Sequence, residues 1–278
     1  MVNNRRRRWI AGLLSILEPG LGQVYNGQAR KGLLILALPA IIFTGMAFLL
    51  NAENTAFVLG AYFLFVFVYY FAVAIDAVWV AHRLGYEYQL KSYNRPSVYI
   101  CMFLLVYAAG TVFSTFVHSY FIEAYKIASG SMQSTLLPGD RIIADQRPWA
   151  RNPHKGDIIV FEYPKNPKSI FVMRVVAVGG DTFEIRAKNL FVNGEQSKEA
   201  FVFHDDPNIL PARDNYGPVI VPRDSYFVMG DNRDHCNDGR FWGFLPGSNV
   251  KGTVRNIYWS WDDEAGAVRW NRIGVAIR

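Results

Sequence analysis

Cysteine and histidine are scarce in this 278-residue chain, and charge is nearly missing from its first part. The two cysteines, Cys101 and Cys236, fall in an apolar run and a polar loop. No disulfide is expected between them, and no C-x-x-C spacing offers a thiolate metal site. The five histidines are scattered and form no H-E-x-x-H pair, so neither a metal nor another cofactor is expected. Nine Lys and Arg stand against four Asp and Glu before position 122, and twenty against nineteen from there on. The excess positive charge belongs to the apolar part, which points to anionic membrane lipid rather than nucleic acid as its reason.

That first part has long apolar runs instead. Residues 32–50, 56–75 and 98–121 contain no Asp, Glu, Lys or Arg. Each is close to the roughly 20 residues that cross a hydrocarbon core. No polar face recurs at helical spacing, as it would in the buried helices of a soluble protein. Three spanning helices are expected. A shorter run, 9–17, follows Arg5-Arg6-Arg7-Arg8 and ends at Glu18-Pro19-Gly20. It has the basic start and apolar middle of a signal peptide, but no small-x-small cleavage site follows. It reads either as an interfacial or re-entrant segment or as the first turns of a packed membrane helix.

The loops set the orientation. Arg5–Arg8, Arg30 and Lys31 precede the first run, Asn51–Thr55 has no Lys or Arg, and the segment from Asp76 to Pro96 contains Arg83, Lys91 and Arg95. The positive-inside rule places the N-terminus and the second loop in the cytoplasm. Three crossings then leave everything after about Tyr120 outside. The expected organisation is a multi-pass membrane region, 1–121, and an extracytoplasmic domain, 122–278, at a plasma membrane.

From Tyr125 the periodicity changes to short segments rich in β-branched residues, such as Ile158-Ile159-Val160-Phe161 and Tyr226-Phe227-Val228-Met229. Turn signals separate them: Pro138-Gly139-Asp140, Gly179-Gly180-Asp181, Asn193-Gly194 and Gly230-Asp231-Asn232. Many short strands at close spacing predict an all-β barrel or sandwich. Asn193-Gly194 suits a type I′ hairpin. Trp259, Trp261 and Trp270 near the C-terminus fit either a membrane interface or core packing.

Four stretches of this domain carry a resemblance. They are Ser129-Gly130-Ser131-Met132 with Thr135-Leu136; Gly156 to Phe161; Tyr163-Pro164 through Arg174-Val175-Val176 to Gly180-Asp181; and Gly230-Asp231-Asn232-Arg233-Asp234 with Asp238, Arg240 and Trp242-Gly243. In order and spacing they resemble the motifs of the bacterial type I signal peptidases, membrane-bound Ser/Lys endopeptidases that remove secretory signal peptides. The resemblance implies cleavage of exported preproteins after small residues, with their signal-peptide segments and the plasma-membrane lipid as partners. It implies that Ser131 is the nucleophile and that the Ser131 N–H and Ser129 hydroxyl stabilise the oxyanion. It also implies that Met132 and Ile158, Ile159, Val160 and Phe161 line the substrate groove. Arg174, Asp231, Asn232, Arg233, Cys236, Asp238 and Arg240 would support the site.

One position departs from the pattern with chemical consequence. A serine hydroxyl needs an adjacent base, which in this family is a lysine made neutral by burial. The lysine position is occupied here by Met173, which has no proton-accepting group. The stretch from Tyr163 to Asp181 aligns without a gap, and Lys168 is five residues upstream, on the opposite face of a strand. Cys236 replaces a serine that commonly contacts the lysine, Gly239 replaces another before Arg240, and Ser134 stands where proline is usual. His235 is the candidate substitute base, imidazole having a suitable pKa; Cys236 is a weaker candidate as an alternative nucleophile. The second function to weigh is that of a catalytically impaired homologue that binds exported segments as an adaptor or regulator.

Overall fold

A computed structural model describes residues 6–49, 55–84 and 88–277. Arg5, Leu50 and all but the last residue of the Asn51–Thr55 loop lie outside the described residues. The chain divides into two compact units, Met1–Phe116 and Val117–Arg278.

The first unit is helical. α1 (Arg8–Leu17) coincides with the short apolar run, and α2 (Leu21–Tyr25) follows after Pro19 and Gly20. α3 (Ala29–Leu49), α4 (Thr55–Arg83) and α5 (Pro96–Tyr120) carry the three long runs. Among the described residues, Gly60–Arg83 and Pro96–Thr115 are long and apolar enough to cross a membrane. α4 outlasts its apolar run by eight residues because 76–83 contributes packing and hydrogen bonds. Ala11, Gly12 and Ser15 of α1 are buried, whereas Trp9, Leu13, Ile16 and Leu17 are exposed. Small residues let the two helices approach: a Cβ on Gly12 would lie 2.9 Å from Val78 Cγ2. The buried amide nitrogens of α2 and its C-cap find acceptors on α4. Gln23 Nε2 donates to Val73 O and Asp76 Oδ2, and Asn26 Nδ2 donates to Ala77 O. A buried amide without such acceptors would cost about 1–3 kcal/mol.

The second unit is built from antiparallel sheets. Its strands are β1 (Ile122–Lys126), β2 (Asp140–Asp145), β3 (Ile158–Tyr163), β4 (Asn166–Val178), β5 (Thr182–Arg186), β6 (Asn189–Val192), β7 (Glu195–Gln196), β8 (Tyr216–Ile220), β9 (Ser225–Met229), β10 (Leu245–Pro246), β11 (Val250–Asp262) and β12 (Ala267–Val268). The larger sheet runs β1-β2-β11-β3-β4-β9-β10, with β12 hung on β11; the smaller runs β7-β6-β5-β8. Two helical turns, α6 (Pro211–Asp214) and α7 (Gly239–Trp242), sit in connections. The Asn193-Gly194 turn joins β6 to β7 with φ of 51° and 85°, the doubly positive pair that a type I′ turn requires.

Each sheet has its own core. Ile142, Ile158, Phe161, Val175 and Leu245 centre the larger one, and Phe183, Ile185, Val221 and Phe227 the smaller. Ile158, Ile159, Val160 and Phe161 were expected to line a groove. They form β3 instead, paired to β11 on one side and β4 on the other, with side chains at most 1% exposed. A central strand with four consecutive buried residues is core. The strand beside it forms the exposed wall.

Candidate active site

Ser131 sits in a single 3-10 turn, Gly130–Met132, between the end of β1 and β2. Met132, which follows it, is buried and anchors the turn: its carbonyl accepts from Thr135 N at 3.0 Å and Leu136 N at 2.8 Å. From the far end of the sequence, Asn232 N donates to Ser131 O at 3.1 Å and Asn232 Nδ2 to Gly130 O at 3.2 Å. Gly230 is required at this junction, since an added Cβ would lie 2.4 Å from both Ser131 O and Cys236 Sγ. The turn is therefore clamped from below by the 230–232 loop, and its hydroxyl-bearing face stays half-buried.

A second clamp is ionic. Arg174, leaving β4 on the side opposite Met173, donates through Nε to Asp231 Oδ1 at 2.9 Å and through Nη2 to Asp231 Oδ2 at 2.7 Å. Thr135 Oγ1 adds a 2.5 Å bond to Asp231, and Arg174 Nη1 reaches Gly156 O at 2.8 Å. The guanidinium lies 3.6 Å from the Phe201 ring, and the Ser134 hydroxyl donates to the Phe201 carbonyl. Asp238 and Arg240 form a third, likewise buried pair at 2.8 Å. Asp238 also accepts from Gly230 N, and Arg240 Nη2 donates to Arg233 O. Arg233 in turn donates to Gly230 O and pairs with Glu199 at 2.8 Å. The expected support residues thus meet as one network under the turn. Thr135, quoted with the serine motif, joins it, and so do Glu199 and Phe201, which no motif marked.

Beside Ser131 is a cleft of about 370 Å³. One wall is Lys126–Ser129, the other Ile170–Met173, and Ser131 and Met132 lie between. The wall from β4 has an open edge. β3 pairs with it from Ile170 onward, but β9 joins the other side only at Arg174. Unpaired strand edge of this kind accepts an extended peptide as an added strand. The pairing leaves this open edge on β4, and Lys126 is the charged residue at the rim of the cleft.

Ser129 Oγ lies 3.4 Å from Ser131 Oγ, near enough for its hydroxyl to share an oxyanion with the Ser131 N–H. The other partner of the Ser131 side chain is the Cys236 thiol. Burial pushes that thiol up to about 12, the Asp238 carboxylate adds to the rise, and hydrogen bonds from Ser131 and Gly230 offset part of it. It stays protonated at neutral pH, so Cys236 is neither thiolate nucleophile nor base here.

Met173 is 3% exposed and packs in the larger core with Met132 and Cys236. It occupies the buried place beside Ser131 without any basic atom. His235 does not replace it: its ring is exposed and its Nε2 is 2.9 Å from Asp205. Lys168 lies in the exposed start of β4. Among the described residues, no lysine or histidine nitrogen is hydrogen-bonded to Ser131.

A family model for signal peptidase, peptidase S26, matches residues 98–259, which spans α5 and the sheet up to Trp259. Signal peptidase I of Aquifex aeolicus is 31% identical over 216 residues, covering 57% of this chain and 82% of that one. Signal peptidase I of Pseudomonas aeruginosa is 27% identical over 245 residues, covering 70% and 82%. A crystal structure of a signal peptidase I from Enterococcus faecalis has 28% identity over 36% of this chain and 95% of that one, with a TM-score of 0.33. A matched region that takes in the serine turn, the cleft wall and the clamping loop agrees with the motifs, and the chain belongs to the signal peptidase family, peptidase S26.

Proposed function

We propose that this chain is a membrane-anchored serine endopeptidase of the signal peptidase I type, which cleaves signal peptides from exported preproteins after small residues. The observation that carries this is Ser131 at the floor of a cleft with an open strand edge and a second hydroxyl at 3.4 Å. An extended segment would lie along Ile170–Met173, with its scissile carbonyl over Ser131. Oγ attacks that carbon, the Ser131 N–H and Ser129 hydroxyl hold the oxyanion, and the amide nitrogen leaves with a proton. Hydrolysis of the ester then releases the mature N-terminus. The relatives are named as peptidases, which favours turnover over an adaptor role.

Without a lysine, the proton of Ser131 must pass to water in the cleft. Loss of a general base costs about 10²–10⁴ in rate, and oxyanion stabilisation alone sustains slow hydrolysis. The proposed enzyme is therefore slow as it stands. Purified full-length chain is expected to cleave a preprotein with alanines before the scissile bond, and Ser131→Ala to abolish this. Met173→Lys puts an amine into a buried apolar place, where desolvation lowers its pKa. Cleavage is expected to rise about 10²–10⁴-fold, with activity increasing as pH climbs through that lowered pKa. A folded Met173→Lys variant with no turnover, or wild-type cleavage indifferent to Ser131→Ala, would overturn the assignment.

The membrane arrangement is part of the proposal. α3, α4 and α5 would each span the plasma membrane, the lengths and composition of α4 and α5 supporting this directly. Arg30, Lys31, Arg83, Lys91 and Arg95 on one side support a cytoplasmic N-terminus and an extracytoplasmic sheet domain.

A further inference from the structure

Between α2 and α3 the chain turns at Gly27, with φ of 84°. The Gly27 carbonyl accepts from Lys91 Nζ at 2.8 Å and from Tyr93 Oη at 2.7 Å. α3 starts two residues later, and the first N–H groups of a helix have no intrahelical acceptor. A cavity of about 470 Å³ opens here, lined by Gly27–Lys31, Lys91 and Tyr93.

Its charge is one-sided. Lys31 is neutralised by Asp76, with both carboxylate oxygens at 2.7 Å. Arg30 and Lys91 have no carboxylate partner among the described residues. A further cation lies in the same unit: Arg6 is 7% exposed, with its guanidinium 4.3 Å from the Tyr25 ring and 4.5 Å from Tyr88, and its Nε and Nη2 lack hydrogen-bond partners. Among the described residues, the carboxylates leave Arg30 and Lys91 of this cavity unneutralised, beside a helix N-terminus that already favours an anion.

A second cavity, of about 380 Å³, shares Ala29 and Tyr93 with the first. It is an apolar crevice between Leu33 and Leu36 of α3 and Val98, Met102 and Leu105 of α5. From Ala29 to Leu36 the helix rises roughly 10 Å at about 1.5 Å per residue, a good part of an acyl chain. A basic cavity continuous with an apolar crevice is the outline of an amphiphile. Basic pockets between membrane helices bind anionic headgroups.

We propose that this paired cavity holds one anionic phospholipid, its phosphate at the α3 N-terminus with Arg30 and Lys91 and one acyl chain between α3 and α5. A zwitterionic headgroup fits less well, because its ammonium would lie among these cations. The site is separate from Ser131, and its test does not depend on proteolysis.

The full-length chain would be reconstituted in phosphatidylglycerol–phosphatidylcholine mixtures, extracted into mild detergent, and its retained lipid measured by native mass spectrometry. Phosphatidylglycerol should be retained at least about ten-fold over phosphatidylcholine. Arg30→Gln and Lys91→Gln should each lower its retention about five-fold, the worth of one cation near a headgroup. Arg30 is exposed; helical melting curves would confirm that both variants fold. Leu105→Trp, which fills the crevice, should release the lipid while leaving the cations in place. Equal retention of the two lipids, or retention unmoved by both Gln variants, would overturn the proposal. So would displacement by millimolar inorganic phosphate with no effect of Leu105→Trp, which would make this a free-anion site.

Discussion

Cys236 and Met173 place two buried side chains without a basic atom beside Ser131. Both are buried against Met132, and the thiol is pushed up to about 12. An alkylating reagent at pH 8 should therefore leave Cys236 unmodified in the folded protein and modify it fully in denaturant, with the modified peptide identified by mass spectrometry. Rapid native modification would mean that the thiol is exposed or ionised. The departure at Met173 was legible in the sequence, because the flanking motif aligns without a gap. The fate of His235 was not. Its ring sits two residues from Arg233 in the chain, yet faces Asp205 on the surface. Only the path of the loop separates the two.

At the scale of elements, buried ion pairs join strands that the sequence holds far apart. Arg174 and Asp231 lie 57 residues from one another and couple β4 to the loop under Ser131. Removing one partner strands a buried charge, so Arg174→Leu or Asp231→Leu should each lower stability by about 3–5 kcal/mol, whereas the double substitution should cost clearly less than their sum. Denaturant midpoints of the four proteins measure this. A second cluster links the smaller sheet to the same loop. Asp234 takes Lys188 Nζ at 2.9 Å, His204 Nδ1 at 3.1 Å and the Asp206 N–H. Burial by itself would push this carboxyl up, but the Lys188 ammonium, the Asp206 N–H and His204 more than reverse it, holding it well below the usual range. A depressed carboxylate stabilises the fold above its unfolded pKa of about 3.9 and loses that contribution as pH falls below it. The wild type should lose stability below about pH 4 more steeply than Asp234→Asn in an acid titration of the denaturant midpoint. Parallel curves would mean the cluster adds nothing.

For the molecule as a whole, the two units follow different rules of solvent. The helical unit exposes Leu33, Leu34, Ile41, Phe63, Phe67 and Leu104, as a lipid-facing surface does, and pairs the amide nitrogens of Gln23 and Asn26 inside. The sheet unit buries its apolar residues in two cores and its charges in pairs. If the positive-inside orientation holds, protease added to intact spheroplasts should digest the 117–278 unit and leave a protected fragment close to residues 1–116. Protection of the sheet unit would reverse the topology. Loss of both units would contradict the membrane assignment of the first.

Composition and pattern alone were enough to separate an apolar, weakly charged region from a β-rich domain. Their physical basis is local: run length against bilayer thickness, and alternation against turn residues. The motifs also singled out Ser131, Arg174, Asp231, Asp238 and Arg240, which the fold brings into one network, and Met173 beside them. Strand order could not be read in this way, because neighbours in a sheet are chosen by pairing across long sequence distances. For that reason neither the burial of Ile158–Phe161 nor the open edge at Ile170–Met173 was legible beforehand. The same holds for the basic cavity at Gly27. Arg30 and Lys91 are 61 positions apart, and only helix packing brings them to one cavity beside an apolar crevice.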